Sequence, residues 1–324
     1  MQYIIEKNNE EIVIPQDIFN QYSFGAKPFL KWAGGKTQLL GQLIKYFPFE
    51  LKNGIIKNYC EPFLGSGAVF FLIAQHFQIN NALLSDINED LVLTYLVVQN
   101  NVYELIDELT ILHEQYYNKN DEMRRQFFYK IRQQFNTEKV KINFNNYKKD
   151  YIPHAAKMIF LNKTCFNGLF RLNKKGEFNV PFGGYKSPKI LDKNNLINSS
   201  QVLKIADISI TDFEDIISKI NGQTFIYFDP PYRPISPTSS FTSYSKFDFT
   251  DKDQIRLAKI FEELSNAGNK LMLSNSDPKN EDPTDEFFEK LYSNFNIVRV
   301  KANRMINSNG DNRGKINELL IMNY

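Results

Sequence analysis

The stretch KNYCEPFLGSGAVFFLIAQHFQINNALLSDINEDLVLTYLVVQ, residues 57–99, decides the fold. KNYCEPF reads as a strand, GSGAVFFLIAQHF as a helix, ALLSDI as a second strand and NEDLVLTYLVVQ as a second helix. Strand, helix, strand, helix is the order of a parallel sheet with helices on its faces. Gly65 and Gly67 fall between the first strand and its helix, where a missing side chain lets a ligand approach the backbone and the helix N-terminus. Asp86 closes the next strand, 21 residues beyond Gly65, the spacing at which an acid accepts hydrogen bonds from ribose hydroxyls. Together they point to an adenosine-bearing ligand; a tight turn plus an acid capping DINED is the alternative reading. Phe70 stands where a dinucleotide fingerprint wants its third glycine, which disfavours a pyrophosphate cofactor.

On the amino-terminal side, FLKWAGGKTQLLGQLIKYF (29–47) is a Gly-Gly turn entering an amphipathic helix. Trp32 is the only tryptophan. Lys36 sits at the helix start, where a cation opposes the macrodipole, so it is locally unfavourable unless it meets an anion such as a carboxylate. Such local conflicts mark sites; a solvent-facing lysine is the bland alternative. Residues 1–26 read as an arm with a short strand and a helix.

On the carboxyl-terminal side, FIYFDPPYRP (225–234) is an interior strand that ends at Asp229. Pro230 and Pro231 stop the ladder and stiffen the chain, holding Tyr232 out as an aromatic plate beside an acid. The α/β pattern around it comprises a strand at VLKIADI, a helix at KDQIRLAKIFEELSNAG, a strand at KLMLSNSD, and two closing strands, FNIVRVKA and INELLIMNY, antiparallel to each other. The Ser/Thr-rich PISPTSSFTSYSKF (234–247) reads as a lid.

With 324 residues, 42% hydrophobic and 23% charged, the chain is a folded α/β protein large enough for an inserted segment. Cys60 and Cys165 have no metal or redox spacing, and His76, His113 and His154 no ligand spacing, so no metal is expected. The most apolar run, AVFFLIA, is too short to span a bilayer, and the acidic start is no export signal; no membrane partner and a cytoplasmic location are expected.

The net charge of +2 conceals an asymmetry. Residues 118–190 carry twelve Lys and four Arg against five acidic residues, an excess of eleven, which leaves the remainder about nine negative. A basic block inside an acidic chain is the footprint of a phosphate-rich partner. Within it, KTCFNGLFRLNKKGEFNVPFGGYKSP (163–188) reads as a hairpin turning at 173–176, with Arg171, Lys174 and Lys175 near its tip. A two-stranded ribbon fits the DNA major groove, and arginine chelates guanine best. Phe166 and Asn167 set an aromatic and an amide on a turn, groups that wedge between bases; a structural hairpin with core phenylalanines is the alternative.

FLKWAGGK, EPFLGSGAVFF, LLSDIN, FNGLFRLNKKGEFNVPFG and DPPY, in this order, resemble the Dam-type family of DNA adenine methyltransferases that modify GATC. The resemblance runs from about residue 28 to Tyr324 and includes SNSD (274–277) and RGKINELLIMNY. It implies a Rossmann-like methyltransferase fold with a mostly parallel seven-stranded sheet and S-adenosylmethionine as methyl donor. Residues 1–28 would be an N-terminal arm, 29–100 and 191–324 the two parts of the catalytic domain, and 101–190 an inserted helical and hairpin DNA-recognition segment. By resemblance Trp32, Lys36, Gly65, Gly67 and Asp86 hold the cofactor, and Asp229 touches both cofactor and target base. Arg171 reads guanine, and Phe166 and Asn167 invade or fill the duplex where the base leaves. An adenine inside a duplex cannot present its amino group, so the base must be flipped out. Tyr232 would stack on it, and Asp229 with the Pro230 carbonyl would accept from its N–H groups. Methylation of RNA or of a protein amide, and a non-catalytic DNA-binding relative, are the alternatives. The duplex is the expected partner, and a cognate restriction endonuclease is left open.

Overall fold

The computed structural model describes residues 3–7, 10–14, 25–233, 249–303 and 315–324. The arm begins with two strands rather than one, β1 (Tyr3–Lys7) and β2 (Glu10–Ile14), paired antiparallel with Ile5 opposite Ile12. Both are rich in β-branched residues, which favours this pairing. The helix expected after them, and the expected lid at 234–247, lie outside the described residues.

From residue 25 the chain runs through helices α1 (Leu40–Tyr46) and α2 (Phe49–Lys52), strand β3 (Asn58–Glu61), α3 (Ala68–His76), β4 (Asn81–Asp86) and α4 (Glu89–Asn100). Four further helices follow: α5 (Val102–Tyr117), α6 (Asp121–Lys139), α7 (Ile152–Thr164) and α8 (Lys193–Leu203). The α/β alternation then returns with β5 (Ala206–Ile210), β6 (Thr224–Phe228), α9 (Asp251–Asn266), β7 (Lys270–Ser276), α10 (Phe287–Leu291), β8 (Asn296–Asn303) and β9 (Lys315–Met322). The strand expected at VLKIADI starts later, at Ala206. Val202 and Leu203 are instead the buried last turn of α8, whose start is capped by Asp192. A helix with an N-cap and a buried apolar face outcompetes a strand for those two residues.

The seven-stranded sheet has the order β5-β4-β3-β6-β7-β9-β8. The pairs among β3 to β7 are parallel, and β9 is antiparallel to β7 and β8. The chain moves outward from β3 through β4 to β5, then returns to place β6 on the other side of β3. Connections therefore diverge between the carboxyl ends of β3 and β6, opening the crevice where such sheets bind ligands. All five residues of β6 are buried, as an interior parallel strand requires.

Helices α5 to α7 share one buried cluster with the sheet: Tyr95 and Val98 of α4 belong to it together with Tyr116, Phe128 and Phe160. A polar pin crosses the same contact. Asp90 of α4 is fully buried and accepts from Lys139 Nζ at 2.7 Å and His154 Nε2 at 2.9 Å. A buried carboxylate is tolerated when paired in this way.

Residues 26–31 form no ladder, yet three buried amide side chains bracket them. Gln75 bonds both the N–H and the carbonyl of Ala26, each at 2.9 Å. Asn195 does the same to Lys27, at 3.0 Å for both bonds, and Asn162 to Lys31, at 2.8 Å for both. Each amide stands in for a neighbouring strand, satisfying buried backbone groups. Trp32 and Lys36 thus arrive at the crevice on a fixed backbone.

Candidate active site

The crevice brings three of the expected residues together, Lys36, Asp229 and Tyr232. Lys36 is 4% exposed; its ammonium lies 2.7 Å from Asp229 Oδ1 and donates to the Gly34 carbonyl at 2.9 Å. Lys36 opens a three-residue 3-10 turn (Lys36–Gln38) and α1 begins only at Leu40, so the expected helix start lies further on. The carboxylate that Lys36 meets is nonetheless the kind of anion expected for it. The same Nζ stands 4.6 Å from the centre of the Tyr232 ring, a cation–π distance. Asp229 keeps about a fifth of its side chain exposed, at 19%. Burial raises its pKa to about 6, with Lys36 opposing the rise and Glu318 adding to it.

The backbone after Asp229 is braced from β7 and α9. Gln254 Nε2 donates to the Pro231 carbonyl at 3.2 Å, and Asn275 Nδ2 donates to Gln254 Oε1 at 3.1 Å. Arg233 N–H donates to Asn275 Oδ1 at 3.2 Å, while Ser276 Oγ donates to the Arg233 carbonyl at 2.9 Å. The two prolines therefore stiffen a segment that SNSD also grips from the next strand. Among the described residues, no donor is bonded to the Pro230 carbonyl.

Two acids that the sequence did not single out complete the crevice. Glu61 ends β3, is 2% exposed, and accepts from Tyr59 Oη at 2.7 Å. Burial pushes its pKa up, with the Asp229 charge adding to the shift and Tyr59, the Phe70 backbone and Lys36 opposing it. An acid closing a strand just before the glycine loop was the available signal. Glu318, on β9, accepts from Tyr232 Oη at 2.6 Å; nothing near it in sequence announces this. Three carboxyl groups thus line the crevice with one ammonium; Asp229 pairs with it, and burial favours the neutral form of Glu61.

The glycine loop is shaped by close approach. Gly65 and Gly67 have φ of 47° and 66°, in the left-handed region. A Cβ on Gly65 would lie 3.0 Å from the Trp32 ring, and one on Gly67 would lie 2.7 Å from Tyr95 Oη. The glycines thus admit protein aromatics to the loop. Asp86 accepts from the N–H groups of Gly65 at 3.1 Å and Asn88 at 2.9 Å, tying the end of β4 to the loop. Burial raises its pKa, and those two backbone bonds work against the rise.

Trp32 leads from this crevice to the basic segment, stacking on Phe170 with ring centres 5.3 Å apart and planes 20° from parallel. The expected hairpin is present as two isolated bridges, Cys165 with Phe182 and Leu172 with Phe178. Asn173 Oδ1 accepts from the N–H groups of Lys175 and Glu177, closing the tip beside the exposed Lys174 and Lys175. Arg171 is oriented by Asn179, whose Oδ1 accepts from Nε at 2.8 Å. Phe170 and Phe178 are core residues, whereas Phe166 is 51% exposed. Asn167 adopts φ 56°, the only non-glycine in that region among the described residues, and its N–H donates to Tyr185 Oη at 2.8 Å.

Beside this loop, Lys27, Lys31, Lys163, Lys189 and Tyr185 line a cleft of about 380 Å³. Burial and the neighbouring Lys31 hold the Lys163 pKa down, at about 8. Asp192 pairs with Lys189 at 2.6 Å, leaving the cleft cationic.

Residues 32–306 match the family model of the D12 class N6 adenine-specific DNA methyltransferases. The chain belongs to this family. The D12 sequence is 53% identical over 299 residues to the Type II methyltransferase M.MjaIII of Methanocaldococcus jannaschii, covering 92% of this chain and 99% of the relative. It is 35% identical over 310 residues to the Type II methyltransferase M1.LlaDCHI of Lactococcus lactis subsp. cremoris, covering 95% and 99%. The DNA adenine methylase of Escherichia coli (strain K12) is 32% identical over 298 residues, covering 91% of this chain and 95% of its own. As a D12 methyltransferase the protein is an adenine-specific DNA-modifying enzyme, and its family chemistry implies a methyl donor. Among the described residues, no helix is long and apolar enough to cross a membrane.

Proposed function

We propose that the protein methylates the exocyclic 6-amino group of adenine within GATC in duplex DNA, using S-adenosylmethionine and a flipped-out base. The observation that carries this reading is the meeting of Lys36, Asp229 and Tyr232 in the crevice between β3 and β6. The donor fits the crevice: Asp229, paired with Lys36, and Glu318 present carboxyl oxygens that suit a sulfonium and an ammonium. Asp86, tied to the glycine loop, keeps lone pairs for ribose hydroxyls, and Trp32 walls the loop. When bound, S-adenosylmethionine supplies an electrophilic methyl group.

The remaining work belongs to the chain. Asp229 and the Pro230 carbonyl accept hydrogen bonds from the adenine amino group, which draws its lone pair out of conjugation. Tyr232 stacks on the base and keeps water from its face. As the nitrogen gains its new bond to carbon, Asp229 or water takes the proton that leaves it. Lys36, already bonded to Asp229, keeps that carboxylate ionised until the base arrives.

Arg171 would read guanine, with Phe166 and Asn167 entering the duplex where the adenine departs and Lys174 and Lys175 meeting phosphates. The lysine-lined cleft beside the loop suits the backbone of the same duplex. Residues 101–190 act as the recognition insertion. The GATC assignment is supported by the likeness of FNGLFRLNKKGEFNVPFG to the Dam-type family, and the Type II names of two relatives favour a cognate restriction endonuclease. The test is methylation of a random-sequence duplex library with labelled donor, in competition with RNA and peptide acceptors. Label confined to adenine in GATC supports the reading; label at another sequence, or on RNA or peptide, overturns the corresponding part.

A further inference from the structure

The Tyr232 ring faces the crevice, yet its hydroxyl has a specific partner far away in sequence. Glu318 lies on β9, opposite Ser276 of β7 and Val300 of β8, so two strands fix its backbone. Its Oε2 receives the Tyr232 hydroxyl at 2.6 Å, a short bond of the charge-assisted kind. The backbone of residues 231–233 is braced separately by Gln254, Asn275 and Ser276. Those contacts act on the backbone and fix where the tyrosine starts, without reaching its side chain. Glu318 at the hydroxyl and Lys36 over the ring are the polar contacts that hold the side chain itself.

We propose that Glu318 is a positioning residue for methyl transfer, holding the Tyr232 ring through its hydroxyl in the orientation on which the extruded adenine stacks. This rests on the reading of Tyr232 given above. An unrestrained ring samples several rotamers, and each mis-set one displaces the adenine amino group from Asp229. A displacement of about 1 Å loses roughly 100-fold in rate. A phenylalanine at 232 would stack but could not be held.

The experiment uses the full chain with S-adenosylmethionine and a duplex containing its site. Single-turnover methylation is measured for Glu318→Ala, Glu318→Gln, Tyr232→Phe and the double variant Tyr232→Phe/Glu318→Ala. A parallel set of duplexes carries 2-aminopurine in place of the target adenine, and fluorescence lifetimes are recorded without donor. We expect Glu318→Ala to slow transfer about ten- to a hundred-fold, and Glu318→Gln, whose amide oxygen accepts the same bond, to recover most of the rate. Tyr232→Phe should match Glu318→Ala, and the double variant should be no slower than either single one. The quenched lifetime of a base stacked on residue 232 should lose amplitude in Glu318→Ala and keep it in Glu318→Gln.

Additive losses in the double variant, or a Glu318→Gln enzyme as slow as Glu318→Ala, would overturn the inference and leave the function intact. A wild-type enzyme that never methylates adenine in duplex DNA would overturn the function and the inference with it. Should Glu318→Ala fold poorly, the comparison of Glu318→Gln with Tyr232→Phe decides: a fast Gln variant beside a slow Phe variant supports the inference, and equal rates sink it.

Discussion

Asp229 has its pKa raised to about 6, chiefly by burial, and in the proposed reaction its ionised form takes the amino proton. The rate kcat/KM should therefore fall about tenfold per pH unit below that value, the protonation of a single essential carboxylate in the free enzyme. Lys36 holds this pKa down, so Lys36→Met should move the acid limb to higher pH; a limb that stays in place would show that another group titrates. Asp229→Ala should lower single-turnover transfer by roughly 10²–10⁴-fold, while gel-shift affinity for duplex survives. Arg171 is held by Asn179, and Arg171→Ala should relax discrimination at one base pair by about 1–3 kcal/mol while affinity for random duplex changes less. Equal losses on cognate and random duplex would make Arg171 a phosphate contact.

Among the elements, the inserted helices are joined to the sheet by the Asp90 pin as well as by apolar packing. Asp90→Ala leaves Lys139 and His154 without their shared acid and should cost about 3–5 kcal/mol in denaturant unfolding. Asn162 makes a second connection, since it brackets Lys31 and also donates to the Gly168 carbonyl at 3.0 Å, joining the Trp32 segment to the Phe166–Gly168 turn. The strands and helices of 57–99 were legible because their periods and punctuation agree locally. The hairpin was legible from its turn residues. Lys36 was flagged by its own local misfit, but its partner could not be identified, since 193 positions separate it from Asp229. Glu318 was harder still: a lone acid in an apolar strand looks the same whether it faces water or a crevice. Only the strand order brings β9 beside β7 and aims position 318 at Tyr232. VLKIADI failed for a simpler reason, since an apolar run of that length suits a helix end as well as a strand.

Across the whole molecule, charge and shape are distributed unevenly. The basic excess sits in residues 118–190, and the crevice at the sheet edge is lined by the carboxyl groups of Glu61, Asp229 and Glu318. Duplex binding should weaken steeply with salt, and Lys163→Gln should reduce the slope of log K against log salt by about one if it meets a phosphate. Between these two regions lies a single indole, with the Gly65 backbone near one edge and Phe170 stacked along it. An energetic link through such a contact acts equally in both directions. If cognate duplex shifts Phe170 and so tightens donor binding, donor must tighten duplex binding by the same factor. Calorimetric titrations in either order would then close a thermodynamic square, and Phe170→Ala would uncouple its sides.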